Sequence, residues 1–141
     1  MSRPITSVLV ANRGEIARRV FRTARSMGIR CIAVYVDADA DAPFVTEADE
    51  AIRLDDGGYL DASSIITAAR SAGADAVHPG YGFLSENAEF ARKVTEAGII
   101  WVGPTPHVSE ATGDKLAAKR LALAGEELVE HRRETLALEL R

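Results

Sequence analysis

The chain has 141 residues, 47% of them hydrophobic and 27% charged, with 17 Lys and Arg against 21 Asp and Glu for a net charge of −4. A chain of this length fits one domain that buries about two-thirds of the surface it exposes when unfolded, and the composition argues against disorder and fibrous repeats. The acidic balance argues against general nucleic-acid binding, in which phosphate neutralisation requires a basic face.

Residues 1–10, MSRPITSVLV, lack the long apolar stretch of a signal peptide, and nowhere do eighteen apolar residues run together. A cytoplasmic chain with no membrane span is therefore expected. Ile5 to Ala11 is a short run rich in β-branched side chains, which predicts a strand. Glu15 to Met27 predicts a helix, with Ile16, Val20, Phe21 and Ala24 along its apolar face and Gly28 ending it in the left-handed position. Arg18, Arg22 and Arg25 recur at i, i+4 and i+7 on this helix, with Arg19 beside them. The stripe is open to two readings, a solvated face or a partner surface, because Arg is enriched at interfaces and its aliphatic stem packs well.

The next run, IRCIAVYVD, is nearly all apolar, the pattern of a strand buried on both faces of a parallel sheet. Cys31 within it is the only cysteine, so no intrachain disulfide can form, and its apolar neighbours predict core packing. Residues 37–43, DADADAP, are acidic and turn-prone, and FVTEADEAIRL carries a helical turn into a brief strand around Ala51 to Leu54. Asp61 is the expected N-cap of ASSIITAARSAG, with Ile65, Ile66, Ala68 and Ala69 facing inward and Gly73 closing the end. Then come a strand at ADAVH, a loop, a helix at AEFARKVTEAG and a strand at IIWVG. This alternation predicts an α/β fold, an open and mostly parallel Rossmann-like sheet with helices on both faces. The α/β domain is assigned to residues 1–113. A helical C-terminal segment is assigned to 114–141, rich in Leu, Ala, Glu, Lys and Arg.

Asn12-Arg13-Gly14-Glu15 stands where a dinucleotide fold places its phosphate loop, and Asp37 stands near the position of its ribose-binding acid. Against that reading, such a loop uses three glycines and only Gly14 is present. His78, His107 and His131 show no metal-ligand spacing with one another or with Cys31, so no metal site is assigned. Trp101 is expected in the core, its indole N–H seeking one partner. The loop HPGYGFLSEN leaves the carboxyl end of the ADAVH strand, where open α/β sheets bind ligands. Its glycines permit unusual backbone and close approach, and Tyr81 offers a flat face and a hydroxyl. Equally open is a turn in which Tyr81 and Phe83 plug the sheet end. Lys115, after Gly113 and Asp114, opens the last helical run, where a lysine can meet an anion. No nucleophile–base pair or carboxylate pair can be assembled, so the residues describe a binding domain without catalytic machinery.

In order and spacing, ANRGEIARRVFRTARSMGI, ADEA, DAVHPGYGFLSENAEFA, WVGP and GDKLAAKR closely resemble the N-terminal domain of biotin carboxylases. These are the ATP-grasp enzymes of biotin-dependent carboxylases, and the resemblance covers about residues 5 to 124. It implies a pre-ATP-grasp α/β domain of an enzyme that forms carboxybiotin from ATP, magnesium, bicarbonate and a biotin-bearing carrier. It further implies that Tyr81 and Gly82 line the pocket for biotin's ureido ring and that Lys115 reaches ATP phosphates. Arg19 and Arg22 become homodimer-interface candidates, although Ser26 stands where another member can carry an acid. Implied partners are a biotin carboxyl carrier domain and a carboxyltransferase subunit. SENAEFA is closer to the acyl-CoA carboxylase branch than to pyruvate carboxylase. After Gly125, EELVEHRRETLALELR does not align with the family's glycine-rich lid, so a truncated chain, inactive alone and binding no cofactor tightly, is expected. A self-associating interaction domain and a dinucleotide-binding protein are the alternatives.

Overall fold

A computed structural model describes residues 3–104. Lys115, His107, His131 and the segment 114–141 lie outside the described residues. Five strands, β1 (Ser7–Val10), β2 (Arg30–Tyr35), β3 (Glu50–Arg53), β4 (Ala76–His78) and β5 (Ile100–Trp101), form one sheet in the order β3-β2-β1-β4-β5. Every pairing is parallel: Val8 stands opposite Cys31 on one side and Ala76 on the other, and Val10 opposite Ala33 and His78.

Helices α1 (Gly14–Ser26), α2 (Pro43–Thr46), α3 (Ala62–Ser71) and α4 (Ala88–Glu96) connect the strands. The chain winds outward from β1 through β2 to β3, then returns past β1 to β4 and β5. Right-handed crossovers place helices wound in opposite directions on opposite faces. Helix α1 accordingly packs with α2, and α3 with α4. Parallel strands covered in this way must be apolar on both faces, and Leu9, Val10, Cys31, Ile32, Ala33, Val34 and Val77 are all fully buried. Cys31 sits among them, and its burial pushes the thiol pKa up.

Two expected helix stops and one cap are present. Gly28 and Gly73 adopt positive φ after α1 and α3, and the Asp61 carboxylate accepts from the Ser64 N–H at 3.1 Å. The inward face of α1 differs from expectation. Ala17, Phe21 and Ala24 are its buried residues, whereas Ile16 and Val20 are only half-buried. Val20 still packs against the core, but it and Ile16 also line, with Val8, Pro79 and Tyr81, an open groove of 760 Å³. Ile66 is likewise half-buried at the edge of α3's buried face. Strand β5 is also shorter than IIWVG predicts. Trp101 is half-buried rather than core, packed edge-on against Phe90 with ring centroids 5.5 Å apart. Its indole N–H donates to the Pro104 carbonyl at 2.8 Å.

Candidate functional site

Sheet order reverses at β1, so the carboxyl ends of β1 and β4 point side by side into the crevice where such folds bind ligands. The chain after β4 runs through His78 to Asn87 there, with Gly80 at φ 65°, Gly82 at φ 68° and Phe83 at φ 47°. Three left-handed residues in four give a tight, irregular loop, and a phenylalanine in that region carries strain that something must offset. The Ser85 N–H closes a turn onto the Gly82 carbonyl at 2.9 Å.

The two aromatic rings divide the roles left open by sequence. Phe83 packs on Tyr59, with ring centroids 5.2 Å apart. Tyr81 points outward and is 78% exposed. The two glycines also differ. A Cβ on Gly80 would lie 2.7 Å from Asn12 Nδ2 and 2.8 Å from Ile16 Cγ2, so this backbone presses against α1's start. A Cβ on Gly82 would meet nothing within 4 Å, leaving open space beside Tyr81.

Beneath the loop lies a polar network from the tips of β1 and β2. Arg13 donates to Asp39 through Nε at 2.8 Å and Nη2 at 2.5 Å, and the buried Tyr59 hydroxyl donates to the same carboxylate at 2.6 Å. The Arg13 hydrogen bonds hold the Asp39 pKa below the ordinary carboxylate range against the opposing effect of burial, with Tyr59 assisting. Burial, then the bond to Asp39, pushes the Tyr59 phenol up, so it remains a neutral donor. Next to it, the Asn12 side chain, fully buried, donates to the carbonyls of Pro79 and Tyr81. His78 Nδ1 accepts from the Gly80 N–H at 3.0 Å, and burial pushes the imidazole pKa down, which keeps the ring neutral.

Sequence reasoning missed Asn12, Arg13, Asp39 and Tyr59 as parts of this site. The sequence pattern sets Asn12 and Arg13 apart only as loop positions without glycine, and Asp39 only as part of the turn-prone run 37–43. The dinucleotide reading loses its support here. The Asp37 carboxylate is occupied by Arg53 at 2.5 and 2.9 Å, and side chains fill the β1 tip where a pyrophosphate needs bare backbone. The arginine stripe is likewise divided. Arg18 forms two bonds to Glu47, at 2.9 and 3.0 Å, and Arg25 donates to the Glu47 carbonyl, which ties α1 to the end of α2. Arg22 is exposed, with Glu15 3.9 Å away, and Arg19 stands at the rim of the groove beside Tyr81. Among the described residues no group of three His, Cys, Asp or Glu could hold a metal ion.

Residues 4–108 match the family described as biotin carboxylase, N-terminal domain. The chain belongs to that family. It is 52% identical over 124 residues to the biotin-dependent acyl-coenzyme A carboxylase alpha3 subunit of Mycobacterium leprae, which covers 84% of this chain and 20% of that protein. It is 50% identical over 116 residues to the biotin carboxylase of Halalkalibacterium halodurans, with 79% and 26% of the two chains covered. The solved pyruvate carboxylase of Rhizobium etli superposes with a TM-score of 0.81 at 41% identity, over 86% of this chain and 13% of that one. The biotin carboxylase N-terminal domain therefore accounts for the parallel sheet and for the loop at its switch point. The chain spans only about a fifth of the first of these relatives.

Proposed function

We propose that this chain supplies one wall of a biotin carboxylase site, in an enzyme that uses ATP, magnesium and bicarbonate to carboxylate biotin on its carrier. The observation that supports this most directly is the Tyr81-Gly82 pair. It combines an exposed aromatic face with a glycine whose missing side chain leaves open space, at the carboxyl end of β4. A flat ring such as biotin's ureido ring packs on the first and approaches the backbone of the second. The described residues contribute packing and orientation, and no proton-transfer or phosphoryl-transfer group is assigned to them. No cluster of three carboxylate, imidazole or thiol side chains stands among the described residues to hold the magnesium by protein groups alone. Lys115 is the proposed ATP-phosphate contact. The carrier domain and carboxyltransferase subunit are the proposed partners, and the exposed Arg19 and Arg22 the proposed homodimer contacts. Cytoplasmic location belongs to the same reading, and no helix among the described residues is long and apolar enough to cross a membrane.

A 15N-labelled chain titrated with millimolar biotin tests the reading. The amides of Gly80, Gly82 and Phe83 are expected to shift in a saturable manner, and a titration that leaves them unmoved overturns the assignment. The chain alone is proposed to be inactive. Bicarbonate-dependent ADP release from ATP, magnesium, bicarbonate and free biotin at an enzyme-like rate would refute that part.

A further inference from the structure

We infer that Asn12 is a positioning residue for Tyr81, holding the loop after β4 in a ligand-ready shape through two hydrogen bonds from one side-chain amide. The inference rests on the proposed biotin site but concerns a residue at the tip of β1, far from the loop in sequence.

Asn12 is 1% exposed and lies between β1 and α1. Its Nδ2 donates to the Pro79 carbonyl at 3.0 Å and to the Tyr81 carbonyl at 2.5 Å, while its Oδ1 accepts from the Arg13 N–H at 2.8 Å. These partners leave one orientation of the amide. Two carbonyls can be met only by the NH2 end, and an N–H only by the oxygen. Both amide protons are thus used on the carbonyls that bracket Gly80. Gly80 in turn has to be glycine for Asn12 to come this close. The main chain of Tyr81 is fixed from below while its ring is left 78% exposed. The rigid backbone pre-pays the ordering that a ring-stacking ligand otherwise requires. No other amino acid has this reach with one acceptor and two donors at the end of a short stem. Asp keeps the acceptor for Arg13 but turns a second oxygen toward two carbonyls, and Gln moves the amide outward by a methylene.

The test separates this hold from the bond to the Arg13 N–H. The full 141-residue chain is compared with Asn12→Ala and Asn12→Asp by amide exchange and by biotin titration. Both variants are expected to keep protection at Leu9 and Val77 in the sheet, to exchange the Gly80 and Ser85 amides at least about ten-fold faster, and to weaken biotin binding at least about ten-fold, the lower end for two charge-free hydrogen bonds lost. Wild-type loop behaviour in Asn12→Asp, with a defect only in Asn12→Ala, overturns the inference, because the acceptor then matters and the donors do not. If both variants fail to fold, the wild-type chain decides. Scalar couplings across hydrogen bonds from the Asn12 side-chain nitrogen to the Pro79 and Tyr81 carbonyl carbons are expected, and their absence overturns the inference. Wild-type protein whose couplings are present but whose loop ignores biotin would sink the proposed function and leave the hold by Asn12 standing.

Discussion

The rings of Tyr59 and Phe83 lie 5.2 Å apart, and Phe83 holds a positive φ of 47° to keep them there. A left-handed residue other than glycine costs about 1–2 kcal/mol, and an aromatic pair returns about 0.5–1.5 kcal/mol beyond its buried area. The two effects nearly cancel, so the loop shape depends on Tyr59 being fixed in turn by its bond to Asp39. Tyr59→Phe keeps the ring and removes the donor. It is expected to cost about 1.5 kcal/mol, the low end for a hydrogen bond to a charged group, since Arg13 still serves Asp39. Tyr59→Leu is expected to cost about 1 kcal/mol more, the share of the ring contact. Urea unfolding midpoints at constant m-value measure both, and equal midpoints for the two variants would contradict the stacking account.

The two glycines that flank Tyr81 separate backbone strain from crowding. Both have positive φ, so alanine at either costs about 1–2 kcal/mol in conformation alone. Only Gly80→Ala also drives a methyl into Asn12 and Ile16. Gly82→Ala is therefore expected to lose about 1–2 kcal/mol, and Gly80→Ala about 1–3 kcal/mol more from overpacking. Thermal and urea melts of the two single variants give the difference directly. Equal losses at the two positions would show that Asn12 yields freely.

Local chemistry made the elements legible and long-range chemistry hid the site. The Asp61 cap, the glycine stops after α1 and α3 and the apolar strands each depend on neighbours within a few residues, so pattern and propensity suffice. Asn87 caps α4 in the same local way, accepting from the Phe90 N–H at 2.9 Å. Asn12 and Asp39 are another case. The carbonyls that take the Asn12 amide protons lie 67 and 69 residues away, and the Asp39 partners 26 and 20, so no neighbouring residue marks the hold on the loop or the ion pair. On α1 the apolar spacing does not separate core from groove, because Val20 packs against the core and, with Ile16, also lines the groove beside Tyr81. Tyr81 and Gly82 entered through resemblance to a family. The geometry adds which of the surrounding residues hold them.

His78 makes the loop's main chain sensitive to mild acid. Burial lowers its pKa in the folded chain, so between the folded and unfolded values the unfolded chain binds more protons. Stability from the neutral ring is complete above about pH 6.5 and declines as pH falls through the folded value. Protonation also removes the lone pair that accepts the Gly80 N–H. The Gly80 amide is expected to shift with the titration of the His78 ring, and His78→Gln to abolish that inflection. NMR from pH 7.5 to 4.5, a range of about three units about the ordinary histidine value, follows both signals. A Gly80 inflection that survives in His78→Gln would assign it to another group.

Asp39 makes a separate, more acidic contribution with its own sign. Its folded pKa lies below the ordinary value of 3.8, chiefly through the Arg13 hydrogen bonds. Its stabilisation is therefore complete above the unfolded value and disappears as pH falls through the folded one. Asp37, Glu47 and Asp75 are shifted in the same direction, so the wild-type acid limb sums several groups. The comparison that isolates Asp39 is Asp39→Asn. It is expected to be about 1–2 kcal/mol less stable at neutral pH, short of a fully buried pair because the Arg13 side chain is 51% exposed. As pH falls below about 4 the gap between variant and wild type should close, since the protonated acid and the amide make similar bonds to Tyr59 and Arg13. Urea unfolding at pH 7 and pH 3, values about three units above and one below the ordinary carboxylate pKa, gives the two gaps. A gap of unchanged size at the lower pH would mean that the charge on Asp39 contributes nothing and that shape alone holds Arg13 and Tyr59 in place.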